Sequence, residues 1–240
     1  MHYLLTPLHT HVDFGFGRTG DAFKEAADKL EDETKPHRSL GNEHLPVNYL
    51  RRHALELYLK SAIVIIHKRL DLPYGAEPAS GEPHVLVTGE WRLFQRVHSI
   101  RDLWIYLASL FREQKAFFDS VSSVKWSFPV EVDQWIEEIE QLDPRSTFFR
   151  YPNPRTPSVD VSKDAMAPGT PEEIMKRLQA SHGDGPKQFI VLMENDEGEV
   201  KRSYYYAGEP LAGFGKTLKD CLDLFHGLHA AMRSEICGGA

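Results

Sequence analysis

Residues 48–63, Asn-Tyr-Leu-Arg-Arg-His-Ala-Leu-Glu-Leu-Tyr-Leu-Lys-Ser-Ala-Ile, constrain the fold most tightly. Leu50, Ala54, Leu57, Tyr58, Ser61, Ala62 and Ile65 recur at three- and four-residue steps, the period of a helix face. Ile63, Val64 and Ile66 make the other side apolar as well in the last third, so this helix is predicted to be central and packed on two sides. It nevertheless carries Arg51, Arg52, His53, Glu56 and Lys60. Glu56 and Lys60 stand at i,i+4 with the acid first, the favourable order for a helical ion pair. Arg51 and Arg52 lie in the N-terminal half, where the helix dipole disfavours cations; solvated surface charge is the default reading for them, with a phosphate or carboxylate partner as the alternative.

The rest of the chain is punctuated clearly. Residues 1–18 read as an extended arm, with Thr19 capping a helix from Gly20 to about Glu33. Pro46 suits the first turn of the central helix and Pro73 stops it. Ser99 with Asp102 forms a capping box, and Leu103, Trp104, Leu107, Leu110 and Phe111 give the helix it opens an apolar stripe to about Phe118. Pro129 opens another helix, ended by Asp143-Pro144. Thr170-Pro171-Glu172-Glu173 caps a short helix to about Ala180, and a last helix runs from about Gly213 to Ile236. Two insertions interrupt the helices, at about 73–97 and 152–210. The first holds a short hairpin near 85–97, the second a hairpin of Phe189–Met193 with Val200–Tyr206. Tyr204, Tyr205 and Tyr206 cannot all face one side of a strand. This strand is expected to be an edge that pairs with another chain. The fold class is therefore mainly α: a single helical domain over residues 19–236, with one or two small β-hairpin insertions and four to five bundle helices.

Composition narrows the function classes. The formal net charge of −7 argues against a chain basic over its whole surface, as many nucleic-acid binders are, and leaves room for a local basic cleft. Cys221 and Cys237 show no CxxC spacing and read as reduced thiols of a cytoplasmic protein. The first residues lack a signal-peptide pattern, and no apolar run approaches the ~20 residues of a membrane helix.

Ala54, Leu55, Glu56, Leu57, Leu59, Lys60 and Ser61, then His98, Asp102 and Leu103, then Phe149-Arg150-Tyr151-Pro152, resemble the motifs of the HEPN superfamily. The resemblance covers roughly residues 20–152, and the C-terminal helix is a plausible closing member. It implies a HEPN-like bundle that often pairs as a homodimer. Many members are metal-independent ribonucleases of toxin–antitoxin, antiviral defence or stress systems. Their hallmark is an Arg followed four to six residues later by His in a late helix. The imidazole titrates near neutral pH and the guanidinium is a fixed two-pronged phosphate donor. Here the late helix has His226 and His229, with no Arg at that spacing before either. Arg92 with His98, and Arg38 with His44, have the spacing but precede other helices.

The leading expectation is thus a non-catalytic or accessory module that binds RNA, a nucleotide or a partner protein, with no cofactor and no metal. The alternatives are an endoribonuclease using Arg92 and His98, and a structural interaction domain without a ligand. Candidate binding residues are Arg51, Arg52, Glu56 and Lys60 on the central helix, and Arg145, Arg150 and Tyr151 in a stretch that mixes arginines with aromatics, as RNA surfaces do. The competing reading of that stretch is a loop anchored by Phe148, Phe149 and Tyr151, with Arg150 paired to a buried acid such as Glu56. His9-Thr10-His11-Val12-Asp13 echoes a metal segment but lacks further ligands. Gly213-Phe214-Gly215-Lys216-Thr217 echoes a phosphate loop, but Pro210 stands where its first glycine belongs.

Overall fold

The long apolar run becomes the axis of the protein. The computed structural model describes residues 6–34, 42–121, 125–152, 156–180, 189–208 and 210–239. Helix α2 (His44–Leu70) follows α1 (Phe16–Thr34) and is buried without interruption from Ala54 to His67. Helices α1, α3 (Ile100–Glu113) and α8 (Ala212–Ala231) pack on it, and α5 (Val132–Leu142) packs on α3 and α8. Leu55, Leu59, Ile63, Leu103, Leu107, Ile139, Leu218 and Phe225 meet in the core. Each fully buried Leu or Ile contributes ~1.5–3 kcal/mol relative to exposure. No described helix is long and apolar enough to cross a membrane.

Side chains set the helix ends. Ser99 Oγ accepts from Asp102 N at 3.0 Å, the predicted cap, and Glu140 on α5 accepts from Ile100 N at 2.9 Å and Arg101 N at 3.3 Å. Those first-turn N–H groups have no partner within the helix. The helix breaks at Gln114 and resumes as α4 (Lys115–Val121), so the single helix predicted to Phe118 is two. The break lets Phe118 stack on Phe111, with ring centroids 4.3 Å apart.

The described part of the N-terminal arm, from Thr6 on, is not extended. Leu8–Thr10 forms a 3₁₀ turn, His11 and Asp13 are buried, and α1 starts at Phe16. Asp13, not Thr19, opens that helix: its carboxylate accepts from Gly15 N at 3.0 Å and Gly17 N at 2.7 Å. Thr19 lies inside the helix and donates its hydroxyl proton to Gly15 O.

Both predicted hairpins form. Strands β1 (His84–Val87) and β2 (Glu90–Leu93) are joined by Thr88 and Gly89, at φ 49° and 88°, as a two-residue turn with positive φ at both centres requires. Trp91 meets His67 and Tyr106 edge-on; Arg92, the next residue, falls on the opposite, exposed face. The second insertion holds more than a hairpin. It contains α6 (Pro157–Val161), β3 (Met166–Pro168), α7 (Pro171–Ala180), β4 (Ile190–Glu194) and β5 (Val200–Tyr206). The Thr170–Glu173 capping box closes in both directions, at 2.9 and 3.3 Å. The strand order is β3-β5-β4, so the tyrosine strand is central and the predicted edge pairing through it is ruled out. Tyr205 lies under the Arg177 guanidinium of α7 at 3.6 Å.

Candidate functional site

The charges of the central helix face inward. Arg52, Glu56 and Lys60 recur every four residues, so they form one stripe along α2. They are 0%, 2% and 4% exposed, which leaves no surface for a ligand and corrects the expectation that they bind one. Instead they bind the chain to itself. Glu56 accepts from Arg52 at 3.1 Å and from Lys60 at 2.8 Å. Lys60 also donates to Phe94 O at 2.8 Å, at the foot of the first hairpin. Arg52 donates to His98 O at 2.6 Å and Asp143 O at 3.2 Å, and its Nε forms an ion pair with Asp143 Oδ2 at 3.2 Å. One helical stripe therefore clamps three connections: the end of β2, the start of α3 and the end of α5. Burial alone would raise the Glu56 carboxyl; the charges of Lys60, Arg52 and His98 overcome it and hold the group below the usual carboxylate range.

Arg51 points the other way and is also spoken for. It pairs with Glu31 of α1 at 2.8 Å. Burial pushes Glu31 up, but hydrogen bonds from Arg51 and Lys219 bring it down to about 2. Arg51 and Arg52 are thus not solvated surface charges, the default reading; their anionic partners are carboxylates of the same chain.

Of the predicted catalytic pair, His98 joins the stripe and Arg92 does not. The His98 side chain is 50% exposed and its Nδ1 lies 3.1 Å from Glu56 Oε1. A carboxylate can only accept here, so Nδ1 carries a proton; Nε2 accepts when the ring is neutral and donates when it is charged. Arg92 sits on the exposed face of β2, paired with Glu90 at 3.1 Å. His44, the partner in the other spaced pair, donates through Nε2 to Lys163 O at 2.8 Å; Arg38 lies outside the described residues.

The aromatic–arginine stretch forms an open cleft. Asp143 Oδ1 accepts from Thr147 N at 2.7 Å and Phe148 N at 3.0 Å, which bends the chain into a turn directly after α5. Ser146 takes φ 56° inside that turn. Phe148 and Phe149 turn into the core, leaving Arg145, Arg150 and Tyr151 exposed. Phe149, Arg150 and Tyr151 then face Leu45, Pro46 and Tyr49 of α2 across a cavity of about 480 Å³. Arg150 does not reach Glu56; its Nε donates to Ser146 O, and its guanidinium lies 5.7 Å from the Tyr151 ring centroid. Lys163, only 3% exposed, donates from behind to Phe148 O at 3.1 Å and Tyr151 O at 2.7 Å.

Sequence reasoning missed Asp143, Lys163 and Tyr49. Asp143 carried a signal: an Asp at a helix end followed by Ser and Thr favours this kind of side-chain-to-backbone turn. Lys163 carried little: its pair with Asp160 at 3.8 Å reads as an ordinary i,i+3 pair, and the carbonyls it holds belong to another segment. A second buried polar cluster was missed as well. Ser61 donates to Asp13 Oδ2 at 2.6 Å, so the His229 Nδ1 at 3.1 Å from Ser61 Oγ must carry a proton. The three groups are 0%, 2% and 2% exposed, and a Cβ on Gly17 would lie 2.0 Å from His229 Cε1. Serine, histidine and aspartate meet here to lock α1 and α8 onto α2, where no substrate can reach them.

The remaining motifs resolve simply. No group of three or more metal-ligating side chains occurs among the described residues. His11 Nε2 lies 2.9 Å from Thr6 Oγ1, and Asp13 caps α1. In the Gly213–Thr217 segment, Lys216 pairs with Asp220 and Thr217 donates to Glu138 at 3.1 Å, so both polar side chains of the echo are turned to α8 and α5. The chain matches no protein-family model, no curated protein and no solved structure.

Proposed function

We propose that this chain is a non-catalytic HEPN-like module that binds single-stranded RNA at the cleft between the start of α2 and the Arg145–Tyr151 turn. The observation that carries the reading is the cleft's lining: Tyr49, Phe149 and Tyr151 around the exposed Arg150. Unpaired bases stack on aromatic rings, and a guanidinium takes a phosphate in two hydrogen bonds. A net charge of −7 confines RNA to such a local patch, with Arg145 on the same turn as a second phosphate contact. The HEPN resemblance adds a homodimer, a cytoplasmic location and a stress or defence setting to this reading.

The test is fluorescence anisotropy of a labelled single-stranded RNA at stepped salt. Arg150→Ala is expected to weaken binding and to reduce the log–log salt slope by about 0.7, one phosphate contact on a single strand. Tyr151→Ala is expected to weaken binding without changing the slope. Wild-type protein that ignores RNA at low salt sinks the reading, as do variants that bind like wild type.

One observation favours a ribonuclease instead: His98 offers Nε2 to solvent while Glu56 holds Nδ1, the orientation a general base needs. The pairing of Arg92 with Glu90 weighs against it. Cleavage that survives EDTA and vanishes in both Arg92→Ala and His98→Ala selects that reading.

A further inference from the structure

The cleft's size and its single guanidinium narrow the range of ligands, an inference that rests on the RNA-binding reading. A cavity of about 480 Å³ falls within the range of small-ligand pockets. Arg150 is the charged member of its six lining residues. With Nε held by Ser146 O, its two terminal amino groups have no hydrogen bond among the described residues. Lys163, behind the cleft, is buried and engaged with the Phe148 and Tyr151 carbonyls and with Asp160. One guanidinium matches one phosphate, and the Tyr49 and Tyr151 rings match one base.

Lys163 also ties the two walls together. Its carbonyl accepts from His44, the first residue of α2, and its ammonium holds Phe148 O and Tyr151 O on the opposite wall. Asn42 reinforces the same junction by accepting from Ala165 N at 2.9 Å and donating to Asp164 at 3.1 Å. The width of the cleft is thereby set before any ligand arrives, which lowers the ordering cost of binding.

We propose that the cleft takes one nucleoside monophosphate unit, free or within a single strand, its base on Tyr49 and Tyr151 and its phosphate on Arg150, with Lys163 as the positioning residue that holds the walls apart. Stacking is tolerant of base identity, so purine and pyrimidine units both enter.

The experiment uses the full chain and isothermal titration with AMP, UMP, adenosine and inorganic phosphate, beside displacement of the labelled RNA. AMP and UMP are expected to bind once per chain, within about tenfold of each other, and to displace RNA. Adenosine is expected to bind at least about tenfold more weakly than AMP, because it lacks the charge-assisted contact. Arg150→Ala should abolish that AMP-to-adenosine ratio. Lys163→Met should weaken both ligands by the same factor and keep the ratio, and Lys163→Arg should restore much of the affinity. If Lys163→Met does not fold, Lys163→Arg and Asn42→Ala carry the positioning test. RNA that binds through Arg150 but is not displaced by millimolar AMP or UMP overturns the one-unit proposal and leaves the RNA reading standing. AMP binding without RNA binding does the reverse. Equal affinity for AMP and adenosine overturns the phosphate assignment, and a ratio altered by Lys163→Met overturns the positioning role.

Discussion

Arg52 and Arg150 carry the same guanidinium and live in opposite circumstances. Arg52 is fully buried, with two carboxylates and two carbonyls around it. Arg150 is exposed and, among the described residues, makes one side-chain hydrogen bond, to the carbonyl four residues before it. Asp143 joins the two settings: Oδ2 faces Arg52, and Oδ1 shapes the turn that presents Arg150. The contrast shows how a charged residue's role follows from its partners. The buried stripe holds segments in register and offers nothing to a ligand. The turn above it offers a cation that the fold does not need.

The sharpest way to break that comparison is to remove the acid that Arg52 and Lys60 share. Glu56→Ala would leave both as buried cations without that carboxylate. Breaking a buried pair in this way costs ~3–5 kcal/mol. Urea denaturation followed by circular dichroism is expected to show a loss of that size. A loss below about 1 kcal/mol would mean that water reaches the stripe, and that Arg52 and Arg150 differ in degree rather than in kind.

How far the sequence reveals these roles can be argued from α2 itself. Its helical period, its central position and the Glu56–Lys60 pair were all legible, because periodicity and i,i+4 spacing are local signals. So were the caps at Ser99 and Thr170, and both hairpins. The direction of Arg52 was not. Every fourth residue being charged reads as a solvated face, and the partners that turn it inward, Phe94 O, His98 O and Asp143, lie far along the chain. Distance along the chain also hid Lys163 and the Ser61–Asp13–His229 lock. Strand β3 is three residues long and contains a proline, so no alternation marks it, and without it β5 looked like an edge. At the candidate site, Arg150 and Tyr151 were visible as a composition of arginine and aromatics. Tyr49, on the facing wall, was hidden among core positions of the same helix.

Acid should loosen the buried region and spare the cleft. Burial holds His53, His67 and His229 below the ordinary histidine value; a Leu72 carbonyl partly offsets this at His67, as do Asp13 and Asp21 at His229. A folded-state value below the unfolded one means that unfolding takes up protons. This contribution is therefore complete above the unfolded value of about 6.5 and is lost as pH falls below it. Glu31 and Glu56, also lowered, add a loss of the same sign below the usual carboxylate value, whereas Glu140, raised by burial, gains as pH falls toward that value and so opposes the histidine loss above it. The urea midpoint is expected to hold steady from pH 8 to 7 and to fall between about 6.5 and 5. A flat profile over that range would mean that these imidazoles are hydrated in the folded chain.

The smallest effect on stability belongs to the residue on which the binding proposal leans most. Arg150→Ala removes an exposed cation whose hydrogen bond returns to a carbonyl of its own turn. Substitutions of that kind stay within about 0.5 kcal/mol. Its urea curve should overlay that of the wild type, with the same midpoint and slope, while the anisotropy titration loses affinity. A destabilisation near that of Glu56→Ala would place Arg150 in the clamp with Arg52. The loss of RNA binding would then report a disordered turn, not a missing phosphate contact. An unchanged urea curve with lost binding separates the two arginines by function, because the same pair of measurements on Glu56→Ala shows the stability loss first.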